Sequence, residues 1–311
     1  MPLRNALGAI TLVAALLMGS SACTSASTDG DATGTAQQPH AVTDRVLDLR
    51  DDSRSTDPTP ESAGSDATAG RALPTHLFYP ADGAGPFPVV VFSHGFGSTP
   101  EAYRDLLESW AAAGFVVAAP TFPLTSRGSA LVRADVLDQP ADVSFVLTQV
   151  LALGTAPGDL AGRIDTTHVA VAGHSAGAMT TLGVLGTCCR DSRVTAAVVL
   201  AGTLQAFGPT IAAPGVPTLF VHGTADDVLP LADGQAAYAA APAARAFVEL
   251  PGGTHSSPYD DRSDPHAAAV RTLTTDFLRW TLDGDAQALT ALRTDARQPG
   301  VTELAEDRLT P

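Results

Sequence analysis

The stretch Val169-Ala170-Val171-Ala172-Gly173-His174-Ser175-Ala176-Gly177 opens as a short apolar strand, breaks at a glycine and leads into a helical run over 176–185. G-x-S-x-G between a strand and a helix is a sharp turn, in which a side chain at either glycine would strike neighbouring elements. Such a turn lifts the Ser175 hydroxyl clear of the carboxyl end of the sheet. It also aims the free N–H groups of the helix start, and the positive end of its dipole, at whatever reacts there. A bare G-x-S-x-G arises often by chance; the strand before it and the helix after it give it meaning.

Outward from that turn, strands alternate with helices. Residues 88–92, 115–119, 168–172, 194–201, 216–221 and 245–250 read as strands, and 88–92 is apolar throughout, as a strand covered on both faces must be. Residues 99–113, 136–151, 176–185, 231–240 and 266–282 read as helices. The alternation predicts one α/β domain with a mostly parallel central sheet and helices on both faces. Residues 44–49 and 73–79 precede it as an edge hairpin, joined by a Ser-, Asp-, Gly- and Pro-containing loop. No stretch between the strands is long enough for a large cap domain. The expected organisation is a signal peptide over 1–22, a flexible tether over 23–42, the α/β domain over 43–285 and an acidic, weakly patterned tail over 286–311.

A serine hydroxyl is a weak nucleophile at neutral pH; it needs a base beside it, and the base needs an acid to orient it. Each has a candidate just past a strand. His222-Gly223-Thr224-Ala225-Asp226-Asp227 follows strand 216–221, and Pro251-Gly252-Gly253-Thr254-His255 follows strand 245–250. The chain order Ser175, Asp226, His255 is the one this topology requires. The spacing from His222-Gly223 favours Asp226 over Asp227, which is expected to face solvent or cap the next helix. Gly202-Thr203-Leu204-Gln205, after strand 194–201, offers no carboxylate. Among the eight histidines, His94 and His222 precede a glycine at a strand end and suit a backbone-stabilising role. His174, on the tight turn, should point away from the Ser175 hydroxyl. His40, His76 and His168 lie in or before strands, and His266 enters a helix. His255 sits on a loop among small residues. The third piece is His94-Gly95-Phe96-Gly97, where the N–H of Phe96 is the expected partner of the Ala176 N–H in holding a developing oxyanion. On its own, His-Gly-x-Gly also fits a plain glycine turn.

Of 311 residues, 45% are hydrophobic and 16% charged, which supplies a sizeable core. Acidic residues number 33 against 18 basic ones, all Arg, for a net charge of -15. That balance, with no basic cluster, argues against nucleic acid as a partner and against an anionic lipid surface. At the N-terminus Arg4 precedes an apolar run over 6–18, then the small residues Gly19 to Ala22, then Cys23 and a polar tract. This is a secretory signal pattern. Placed after small residues, Cys23 also resembles the lipidated cysteine of bacterial lipoproteins, with Ser20 where those signals usually carry Leu; ordinary cleavage near Ala22 is the alternative. The expectation is an exported protein, secreted or at the cell surface, meeting a membrane only through that anchor. Cys188 and Cys189 fit either a strained bond between neighbours or two small buried residues at a helix end. No C-x-x-C or H-E-x-x-H occurs, so no metal is expected.

On His94-Gly95-Phe96-Gly97, Gly173-His174-Ser175-Ala176-Gly177, the Asp226 segment and His255, residues 43–285 resemble the α/β-hydrolase superfamily. Within it they are similar to the dienelactone-hydrolase-like, chlorophyllase-like and platelet-activating-factor-acetylhydrolase-like bacterial serine esterases, and more distantly to cutinases. Ser175 stands where true dienelactone hydrolases carry Cys, and Ala176 where cutinase-like polyester hydrolases usually carry a bulkier residue. The resemblance implies an α/β-hydrolase fold, an acyl-enzyme on Ser175, a small-molecule or lipid ester as substrate, and no cofactor. Phe96, Phe122 and Leu124 are candidates to line the cleft, with 121–128 as its rim, though residues of these types more often pack in a core or loop. The alternatives are an acyltransferase, a lipase or polyester hydrolase on the same scaffold, or a non-catalytic binding lipoprotein. A peptidase would bring a cap or propeller domain.

Overall fold

The computed structural model describes residues 38–56, 68–208, 211, 215–242 and 244–310. The expected signal peptide, most of the tether and Cys23 lie outside the described residues. The first two strands, β1 (Val42–Asp51) and β2 (Arg71–Pro80), pair antiparallel from Val42 opposite Pro80 to Asp51 opposite Arg71. β1 alternates half-buried and exposed positions because its polar residues face water along the sheet edge. β3 (Phe87–Ser93), β4 (Val116–Pro120), β5 (Ile164–His174), β6 (Ala196–Leu200), β7 (Thr218–Gly223) and β8 (Arg245–Leu250) run parallel, and β9 (Glu303–Asp307) closes the far edge antiparallel to β8. The spatial order is β1-β2-β4-β3-β5-β6-β7-β8-β9. All seven residues of β3 and all five of β6 are buried, which accounts for their unbroken apolar sequences.

One face of the sheet packs on α2 (Gln139–Ala152), α3 (Ala176–Leu185) and α4 (Leu231–Ala240); Val89 and Val91 of β3 meet Val146, Leu147 and Leu182 there. On the other face Val90 and Phe92 meet α1 (Arg104–Ala112) and α6 (Ala267–Leu282) through Leu107, Trp110, Leu273 and Phe277. The indole N–H of Trp110 donates to Thr274 Oγ1 at 2.9 Å and ties those two helices together. A buried charge cluster anchors the start of β2. Arg71 is 1% exposed. It donates to both oxygens of Asp142, at 2.8 and 2.6 Å, and to Asp135 at 2.9 Å. Asp135 belongs to the 3-10 turn Arg133–Leu137 that leads into α2, so the cluster holds that turn against the sheet.

The fold departs from the sequence expectation in three places. β5 begins at Ile164, ahead of 168, because the Asp165 carboxylate accepts from the backbone and hydroxyl of Thr167 and from the His168 N–H, a polar opening without an apolar pattern. Residues 286–311 are not a tail. They carry α7 (Ala286–Asp295), capped by Asp285, which accepts from the N–H groups of Gln287 and Ala288, and they carry β9. Leu289, Leu292, Ala296 and Leu309 bury into the same core as α1 and α6, within one compact unit over Pro39–Pro311. Cys188 and Cys189 are joined as a disulfide in an exposed turn after α3, so the buried-pair alternative falls.

Candidate active site

Parallel strands deliver their following residues to one edge of the sheet. At the carboxyl ends of β3, β5, β7 and β8 stand Gly95, Ser175, Asp226 and His255 in turn. Ser175 takes φ 55° and ψ -118°, a backbone conformation that non-glycine residues rarely adopt. Both flanking glycines are forced by contact. A Cβ on Gly173 would lie 2.2 Å from the Gly177 carbonyl oxygen, and one on Gly177 would lie 2.0 Å from the Ser93 carbonyl oxygen. The turn is wedged between β3 and its own helix, and only hydrogens fit the gaps.

Ser175 Oγ lies 2.8 Å from His255 Nε2, and His255 Nδ1 lies 2.7 Å from Asp226 Oδ2. A carboxylate accepts, so Nδ1 carries the proton, and Nε2 is left to accept from the Ser175 hydroxyl. Ser175 is half-buried and so within reach of a ligand. The Asp226 side chain is wholly buried. Its Oδ1 accepts from the N–H groups of Val228 at 2.9 Å and Leu229 at 2.8 Å. Burial by itself would raise its pKa. The hydrogen bond from His255 and those from Leu229 and Val228 outweigh burial and hold the carboxyl below its ordinary value. Asp227 is exposed, as its spacing implied.

The Gly95 turn is equally close. A Cβ on Gly95 would sit 3.5 Å from Ser175 Cβ. In the next turn Gly97 N–H is committed to Thr125 O at 2.7 Å, whereas no acceptor among the described residues takes the Phe96 N–H. Ala176 is the first residue of α3, where N–H groups lack an intrahelical acceptor. His94 holds the loop: Nδ1 donates to Gly95 O at 2.8 Å, and Nε2 accepts from Phe122 N–H at 3.2 Å. Burial pulls its pKa down to about 4, so it stays neutral in this structural role.

The cleft-lining expectation divides. Phe96 is half-buried beside Arg133, whose guanidinium lies 4.8 Å from its ring centroid. Leu124 is half-buried on the rim. Phe122 is fully buried and packs on His94, so it lines no cleft. One side chain had no signal in the sequence, and a second, His222, takes the backbone role its place before Gly223 implied. Tyr103 meets His174 at 2.8 Å from seventy-one positions away. His222 Nε2 lies 3.2 Å from Asp226 Oδ2 and donates to Leu229 O at 2.9 Å, bracing the Asp226 loop.

A sheet of this order with these residues at its carboxyl edge defines an α/β-hydrolase, a hydrolase scaffold. The chlorophyllase family model matches residues 60–201, which take in Gly95 to Gly97 and the Ser175 turn and end ahead of Asp226 and His255. Over residues 60–201 the chain is chlorophyllase-like, and its fold is that of the α/β-hydrolase superfamily. No curated protein matches it.

Proposed function

We propose that the protein is a serine hydrolase of carboxylic esters working through Ser175, His255 and Asp226. The observation that carries this reading is the unbroken hydrogen-bonded row from Asp226 through His255 to Ser175 Oγ, beside two backbone N–H groups, of Phe96 and Ala176, that have no acceptor among the described residues. His255 Nε2 takes the Ser175 proton as Oγ attacks the ester carbonyl. The oxyanion is held by the N–H groups of Phe96 and Ala176. His255 then protonates the leaving alcohol, activates a water, and the acyl-enzyme is hydrolysed to the free acid. Asp226 stabilises the cationic ring in both steps. The N-terminal pattern through Cys23 supports an exported location for this activity.

The test is hydrolysis of p-nitrophenyl esters, from acetate to palmitate, by the mature domain and by Ser175→Ala. Turnover in the parent, reduced on the order of 10^6-fold in the variant, is expected. The chain-length optimum separates small esters from lipids. A folded parent that hydrolyses none of the series, or a variant as active as the parent, would overturn the reading.

A further inference from the structure

Behind Ser175 runs a second row of buried polar groups that acyl transfer does not use. Tyr103, in the turn ahead of α1, is 1% exposed and His174 is 2% exposed. The Gly95 N–H donates to Tyr103 Oη at 3.2 Å. Tyr103 Oη lies 2.8 Å from His174 Nδ1, and His174 Nε2 lies 2.8 Å from the carbonyl oxygen of His255. A carbonyl only accepts, so Nε2 bears the proton. In a neutral ring Nδ1 is then bare and accepts from the Tyr103 hydroxyl, whose lone pairs receive Gly95 N–H. Every donor in the row has one acceptor, and each direction sets the next. Burial drives the His174 pKa down to about 3 and lifts that of Tyr103 to about 12, so neither carries charge that would reverse the row.

The two ends of the row are what make it functional. Gly95 immediately precedes the Phe96 N–H, and His255 carries the imidazole that faces Ser175. We propose that Tyr103 and His174 are positioning residues, which tie the oxyanion-side backbone to the backbone of the base and so set the spacing across Ser175. This rests on the serine-hydrolase reading of the site. Plain packing is the competing role: the His174 ring packs tilted against Tyr259 and His255 at 4.9 Å each, and Tyr103 against Phe92 at 4.8 Å. Tyr103→Phe keeps the ring and deletes only the hydroxyl, which separates the two.

The experiment pairs ester kinetics with imidazole nitrogen NMR of 15N-histidine-labelled protein. Tyr103→Phe should lower kcat about tenfold with KM within about twofold, because small misplacements of reacting groups are costly. His174→Gln, whose amide both donates and accepts, should recover part of what His174→Ala loses. Combining Tyr103→Phe with His174→Ala should cost no more than the worse single change. In the NMR spectrum one neutral ring, protonated at Nε2, should stay untitrated from about pH 5 to 9 and become a tautomer mixture in Tyr103→Phe. A Tyr103→Phe kcat within about twofold of the parent, independent losses in the double variant, or a His174 ring protonated at Nδ1 would each overturn the proposal. A parent with no ester turnover but the expected tautomer would instead fail the hydrolase reading, and the positioning role would fall with it while the tie remained as architecture.

Discussion

Asp226 stays charged inside the fold because three donors converge on it: the His255 ring and the N–H groups of Val228 and Leu229. Asp226→Asn would keep the shape and present an amide N–H to His255 Nδ1, forcing the proton onto Nε2, where it can no longer accept from Ser175. The expected loss is about 10^4-fold in kcat with little change in KM, read from ester kinetics at neutral pH. The choice of Asp226 over Asp227 was legible from its distance to His222-Gly223. That His222 holds this loop through Leu229 O was not, since the contact depends on how the loop folds back after Gly223.

At the scale of the element, the strand-turn-helix around Ser175 is held by close approach. Gly177→Ala would push a methyl to 2.0 Å from the Ser93 carbonyl, so β3 or α3 must shift. Denaturant unfolding should reveal a loss of at least about 3 kcal/mol, or no folded protein. α6 carries a different vulnerability. Burial, with a further push from the Asp295 charge, lifts the Asp276 carboxyl to about 6 against the opposing pull of Arg279, and its Oδ2 has no partner among the described residues. A folded-state pKa above the unfolded one means the acid form stabilises the fold below about pH 4. That contribution is lost as pH rises to about 6. Asp276→Asn should therefore melt higher than the parent at pH 8 and show no advantage near pH 3, a comparison of Tm across pH. Helices 176–185 and 231–240 were readable to the residue because Gly and Pro positions flank them, with Gly186 ending the first and Pro230 opening the second.

For the whole molecule, the C-terminal segment is what closes the sheet. Removing residues 286–311 would bare the outer edge of β8 and uncover the sites of Leu289, Leu292 and Leu309, each under 5% exposed. At roughly 1.5–3 kcal/mol per buried aliphatic side chain, the truncated chain should lose several kcal/mol and aggregate, visible by denaturation and size-exclusion chromatography. The α/β class, the edge hairpin, the Ser175 turn and the candidate order Ser175, Asp226, His255 can all be read without the fold. Those rest on local signals: apolar runs, glycines at fixed offsets, and polar residues just past strand ends. Only the tertiary structure decided that 286–311 belongs to the sheet, that Phe122 is walled off from the cleft, and that Tyr103 reaches His174. The reason is physical: a short amphipathic helix and an exposed edge strand carry weak local patterns, and a hydrogen bond between residues 71 positions apart exists only once the sheet has brought their elements together.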